Sequence, residues 1–144
     1  MAKFDLHSNI DAKRGISPAA AGTDNTAYVS QIVDTRGYGS VEWLTLIGAN
    51  TDADATFVTL VEDGDASNLS DAAAVVDAEL LGTEALAGFA FDDDNEIRKI
   101  GYIGNKRYVR VTITPANNAA GNIYVAGVWL LGHPTLAPTA NPPV

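Results

Sequence analysis

Residues 108–114 read Tyr-Val-Arg-Val-Thr-Ile-Thr, and their alternation sets the fold class. Val109, Val111 and Ile113 share one side of an extended chain, while Arg110, Thr112 and Thr114 share the other. That period of two belongs to a half-buried β-strand. Working outward, residues 97–103 lead into Gly104-Asn105-Lys106, a hairpin turn. On the other side, Pro115-Ala116-Asn117-Asn118 breaks the chain before residues 122–131 (NIYVAGVWLL). Upstream, the runs 27–34 (AYVSQIVD), 41–47 (VEWLTLI) and 56–62 (TFVTLVE) are rich in β-formers, and Gly, Asp and Asn close each of them. Phe89 and Phe91 alternate with small residues ahead of the acidic turn at 92–95. Residues 70–81 (SDAAAVVDAELL) read as a strand around 74–81, with a helix capped by Ser70 as the alternative.

The sum is an all-β chain of roughly eight strands joined by connections too short for crossover helices. Antiparallel pairing follows, and the expected architecture is a jelly-roll-like β-sandwich. Residues 1–25 are expected as an N-terminal arm or first strand, and residues 26–132 as the sandwich. Residues 133–144, with Pro134, Pro138, Pro142 and Pro143, are expected as an extended tail.

Two strands carry more grease than a half-solvated strand needs. In 41–47, Val41, Trp43 and Ile47 lie on one face, and Leu44 and Leu46 on the other. In 122–131, Ile123, Val125, Trp129 and Leu131 oppose Tyr124, Val128 and Leu130. Two apolar faces imply that both are covered, one by the domain's own core and the other by a second element or a neighbouring subunit. Leu44, Leu46, Val128 and Leu130 are therefore candidate interface residues. Phe4 and Leu6 in the arm, with Leu136 and Pro138 in the tail, are candidates for contacts laid across a neighbour.

Composition narrows the functions. The 144 residues fit one domain with a real core. The chain is 47% hydrophobic and only 19% charged, against about 25% for ordinary domains. Such a surface tends to keep apolar patches, which mark interfaces. With 18 acidic and 9 basic residues the net charge is -9, a field that repels nucleic acid and anionic membranes. There is no cysteine, so disulfides, thiolate metal sites and cysteine nucleophiles are excluded. The first fifteen residues lack the apolar centre of a signal peptide, and no apolar run approaches membrane-spanning length.

No reactive constellation stands out, and the chain reads as non-enzymatic, with no cofactor and no resident metal. His7 and His133 lie far from any nucleophile motif such as GxSxG. The carboxylates at 92–96 and 63–71 carry oxygens of the kind calcium takes, but they read first as solvated turns. Among the aromatics, Tyr38 in its glycine-flanked turn is the candidate for stacking on a sugar. Lys106 and Arg107, with Arg98, Lys99 and Arg110 nearby, form a basic patch that suits an acidic patch on a neighbour.

Several of these stretches resemble a family of small tailed-phage virion proteins associated with the head. They are residues 26–38 (TAYVSQIVDTRGY), 40–43 (SVEW), 57–65 (FVTLVEDGD), 80–82 (LLG) and 106–112 (KRYVRVT). The likeness spans most of residues 26–134. It implies a capsid-bound decoration, stabilisation or vertex spike-base role in multiple copies, as a trimer or pentamer beside the major capsid protein, located in the virion. It carries no catalytic residues. The alternative reading is a carbohydrate- or receptor-binding jelly-roll module.

Overall fold

The computed structural model describes residues 3–119 and 121–143. The first two residues of the expected arm and the last of the tail lie outside them. The alternating text becomes strands whose buried positions follow the same period. β1 spans Ile10–Ile16, β2 Tyr28–Val29, β3 Val33–Asp34, β4 Tyr38–Asn50, β5 Thr56–Gly64, β6 Ala73–Ala74 and β7 Leu80–Leu81. β8 spans Phe89–Ala90, β9 Ile97–Tyr102, β10 Tyr108–Ala116 and β11 Ile123–Pro134, and the single α-helical turn among the described residues, α1, spans Glu84–Ala87. In β10, Val109, Val111 and Ile113 are fully buried, and Arg110, Thr112 and Thr114 turn outward.

The strands form two antiparallel sheets. The first has the order β1-β11-β4-β9-β7 and the second β2-β10-β5-β6, with β3 also along β10 and β8 along β5. The pieces β2/β3 and β6/β8 each act as one interrupted strand, and β7 extends the edge of β9. Eight strands then remain, ordered 1-8-3-6 and 2-7-4-5. This is a ribbon of pairs 1·8, 2·7, 3·6 and 4·5 rolled into two layers, the double Greek key of a jelly roll.

Three local expectations change. Residues 27–34 split because Ser30 interrupts the ladder: its N–H donates to the Val111 carbonyl at 2.8 Å, and its Oγ accepts from the Val111 N–H at 2.9 Å. Residues 70–81 form neither a continuous strand nor a helix. They give β6, a 3-10 turn at Asp77–Glu79 and β7, because short alanine- and aspartate-rich text follows the sheet edges it meets. The helical turn comes later, where Thr83 Oγ accepts from the Leu86 N–H at 3.1 Å and caps α1. The first-strand option is realised: β1 pairs with β11 from Ile10↔Gly132 to Ile16↔Gly127, so the sandwich begins at Ile10.

Both tryptophans lie in the core. Trp43 and Trp129 face each other in register across β4 and β11, edge to face, with centroids 4.8 Å apart. Each indole N–H is satisfied, Trp43 by Thr45 Oγ at 2.7 Å and Trp129 by the Gln31 carbonyl at 3.1 Å. Gly15 and Gly127 sit flat against the Trp43 ring, where a Cβ would overlap it. On the other layer Phe57 stacks on Phe89 at 4.4 Å. The layers are tied by the Tyr102 hydroxyl, which donates to buried Asp63 at 2.6 Å.

A second buried carboxylate anchors the edge of the first sheet. Asp11 is 4% exposed, takes a 2.6 Å hydrogen bond from the Tyr38 hydroxyl and pairs with Lys13 at 2.9 Å. Burial pushes the Asp11 carboxyl up, but the Tyr38 hydroxyl and the Lys13 ammonium outweigh it and hold the group below its usual range. The same bond pushes the Tyr38 hydroxyl up to about 12.

Two outcomes follow for chemical denaturation. Gly127→Ala is expected to lower unfolding free energy by about 1–3 kcal/mol through overpacking against Trp43, with the denaturant slope unchanged. Tyr38→Phe is expected to cost about 1–3 kcal/mol at pH 7, because it strips a donor from a buried charge. A carboxyl with a lowered folded pKa contributes stability above its unfolded pKa of about 3.9 and loses it as pH falls through the folded value. The Tyr38→Phe deficit should therefore shrink below about pH 4. A deficit that stays constant to lower pH would show that the ionised Asp11 is not what Tyr38 serves.

Candidate assembly interface

The outward side of the first sheet is the distinctive surface of the molecule. Register fixes which side chains meet there. Val128 of β11 sits opposite Leu44 of β4, with Arg14 on one flank and Lys99 on the other. One row along, Leu130 is opposite Glu42, between Ala12 and Gly101. In the other direction Ala126 is opposite Leu46, which is opposite Ile97 of β9. Side chains directly opposite on neighbouring strands lie about 5 Å apart, so these rows merge into one apolar field.

Much of that field is open to solvent. Leu46 is 40% exposed, Ile97 62% and Tyr124 51%, while Leu44, Val128 and Leu130 are half-buried against one another. The second sheet shows what an ordinary solvated face looks like. There β5 and β10 present Glu62 and Arg110 as an ion pair at 2.8 Å, flanked by Thr112 and Thr114. Its outward apolar residues, such as Val58 and Val29, are broken up by these polar groups.

Glu42 is the one carboxylate set among the apolar outward side chains of β4, β9 and β11. Its Oε2 lies over Gly101 beside Leu81, so that a Cβ on that glycine would stand 2.8 Å from it. Burial raises the Glu42 carboxyl above its usual range, and the charge of Lys99 pulls it back in part.

The sequence singled out eight interface residues, and the structure divides them. Leu44, Leu46, Val128 and Leu130 come together on the outer face of the first sheet. Phe4, Leu6, Leu136 and Pro138 lie instead on the two terminal segments, where Phe4 is 95% and Leu136 85% exposed. These segments run beside each other at one rim: the Thr139 N–H donates to the Ser8 carbonyl at 3.0 Å, and its hydroxyl reaches the Ile10 carbonyl at 2.5 Å. Ile97 and Leu81 were missed as face residues. The run 97–103 has apolar residues on both parities, and residues 80–81 make too short a strand to show one.

Other candidate chemistry disperses. Tyr38 is half-buried and packed against the core, with its hydroxyl held by Asp11. Four of the five residues of the basic patch are neutralised locally, Lys99 being the exception: Lys106 meets Asp65 at 2.5 Å, Arg107 meets Asp34 at 2.7 Å, Arg110 meets Glu62, and Arg98 meets Asp93 and Glu96. The acidic turns serve backbone donors. Asp71 accepts from the N–H groups of Asp65 and Ala66, Asp93 from Ala90 and Asp94 from Asn50. Among the described residues no group of three or more His, Asp or Glu side chains is arranged to hold a metal ion. Ser40 Oγ and His133 Nδ1 are 3.0 Å apart at the rim of the sheet, a pairing the sequence did not suggest. Among the described residues no carboxylate orients that imidazole, which the Ser-His-Asp arrangement requires.

A cleft of about 820 Å³ opens beside α1, lined by Phe57, Val58, Leu86, Phe89, Asp93 and Arg98 among others. Its charged groups are already engaged: Asp93 with Arg98, and Glu84 with the Val61 N–H at 2.6 Å.

No family model matches the chain, and no curated protein matches it. Among solved structures it is similar to the N-terminal CBM22-1–GH10 modules of endo-1,4-β-D-xylanase 10B from Clostridium thermocellum, complexed with xylohexaose. That likeness has 13% identity and a TM-score of 0.38, and covers 94% of this chain but 29% of the other. The chain thus spans less than a third of that xylanase chain. Its own strand order makes it an antiparallel, jelly-roll-like β-sandwich.

Proposed function

We propose that the chain is a non-enzymatic structural subunit that docks through the outer face of its first sheet, in several copies, on a larger particle. The observation that carries this reading is the merged apolar field of Leu44, Leu46, Ile97, Val128 and Leu130, left facing solvent on one sheet while the outward apolar residues of the other are interrupted by polar groups. Covering side chains of this size is worth on the order of 1 kcal/mol or more each. A subunit that binds only an assembled lattice stabilises that lattice by mass action. The likeness of residues 26–134 to head-associated phage proteins makes a tailed-phage capsid the particle of choice, with decoration, stabilisation or a vertex base as the role.

Light scattering of the purified chain is expected to give a discrete oligomer, and Leu46→Glu is expected to weaken its association at least tenfold with the melting temperature nearly unchanged. A wild-type chain that stays strictly monomeric at the highest soluble concentration, and does not bind the particle either, would sink the reading.

A further inference from the structure

The outer face of the first sheet is the place where this acidic chain is not acidic. The whole molecule carries -9. Yet the outward positions of β1, β4, β9 and β11 that form the apolar field hold two cations, Arg14 and Lys99, and one carboxylate, Glu42. Two such molecules repel through most of their surfaces. They repel least when this face meets itself.

The partners of these charges point the same way. Arg98, Lys106, Arg107 and Arg110 each hold a carboxylate of their own chain. Lys99 and Arg14 hold no carboxylate among the described residues; Arg14 donates instead to the Ser17 hydroxyl at 3.1 Å and to the Gln31 side-chain oxygen at 2.5 Å. Glu42 likewise takes no hydrogen bond or close ion pair from the described residues, although Leu81 and the backbone of Gly101 strip water from it. A half-buried carboxylate without a partner is costly. Groups facing it are Lys99 of β9, Leu130 of β11, and Leu81 of β7. Leu86 of α1 and Arg98 line the same groove, and Arg98 is already committed to Asp93 and Glu96.

A contact of a face with its own copy is isologous, so every pair in it occurs twice about a two-fold axis. Lys99 is opposite Leu44, one strand over and two residues along from Glu42. That separation is about 5 Å across the sheet and about 7 Å along it. An axis in the plane of the face, midway between Glu42 and Lys99 and perpendicular to the line joining them, exchanges the two positions.

Resting on the assembly reading above, we propose that this face binds a second copy of the same chain about that axis, with each copy's Glu42 paired to the other's Lys99 across the covered leucines. The elementary unit is then a dimer, not the trimer or pentamer expected from the sequence, and any larger ring uses a further surface.

Charge reversal in this cysteine-free chain tests this by sedimentation equilibrium at neutral pH. Glu42→Lys alone and Lys99→Glu alone are each expected to weaken dimerisation tenfold or more. An equimolar mixture of the two variants, which restores both pairs between unlike chains, is expected to return to within about threefold of wild type. The doubly reversed chain, carrying both substitutions, is expected to do the same as a homodimer, and it also serves if a single variant folds poorly. If wild type dimerises but neither the mixture nor the double variant recovers, the pairing is wrong and the assembly reading stands. A wild-type trimer or pentamer also overturns the two-fold. A wild-type monomer that binds the particle overturns self-pairing alone, whereas one that binds nothing takes both readings down.

Discussion

Trp43 and Trp129 meet in register at the centre of the first sheet, and their meeting fixes what every other residue of β4 and β11 can do. A strand offers only two faces, and a slip of one residue exchanges them. With both indoles inward, Val41, Ile47, Val125 and Leu131 follow them into the core. Leu44, Leu46, Val128 and Leu130 are then forced out. Gly15 and Gly127 make room for the Trp43 ring on the inner face, where a Cβ at either position would overlap it. The greasy outer surface is thus the other half of a decision made in the core.

Charge is arranged around that decision. Several carboxylates are spent on turns, where they accept backbone N–H groups that no strand satisfies, as Asp71, Asp93 and Asp94 do. Others neutralise the arginines of β9 and β10 at short range. The outer face of the first sheet keeps a desolvated Glu42, with Lys99 nearby holding no carboxylate at ion-pair distance. An apolar surface with a few unsatisfied charges differs from a simple sticky patch, since it discriminates among partners as well as attracting them.

The long strands were legible because their text obeys a period that packing also obeys: alternation in 108–114 and double-sided grease in 41–47 and 122–131 carry straight through to burial. The segment from 70 to 91 was not legible. Its alanines and aspartates have no period strong enough to resist tertiary context, and the sheet edges at Glu62, Asp63 and Gly101 decide where Ala73, Ala74 and Leu81 pair. The Tyr38–Asp11 bond and the Ser40–His133 contact join positions 27 and 93 residues apart, a distance no local pattern reports. The apparent basic patch dissolved for the simplest reason. Lys106 and Arg107 lie in the connection between β9 and β10, and each meets a different carboxylate, Asp65 and Asp34.

The rolled ribbon puts its outermost pair, β1 and β11, side by side, and the segments beyond them stay together. Thr139 is bonded to Ser8 and Ile10, and Asn141 lies 3.3 Å from His7. For protein engineering this makes the two ends interchangeable. A fluorescent protein or affinity tag appended at either one would ride on the same rim. A short linker joining the ends, with new ones cut at the Gly82 turn, should yield a circularly permuted chain with the same two layers.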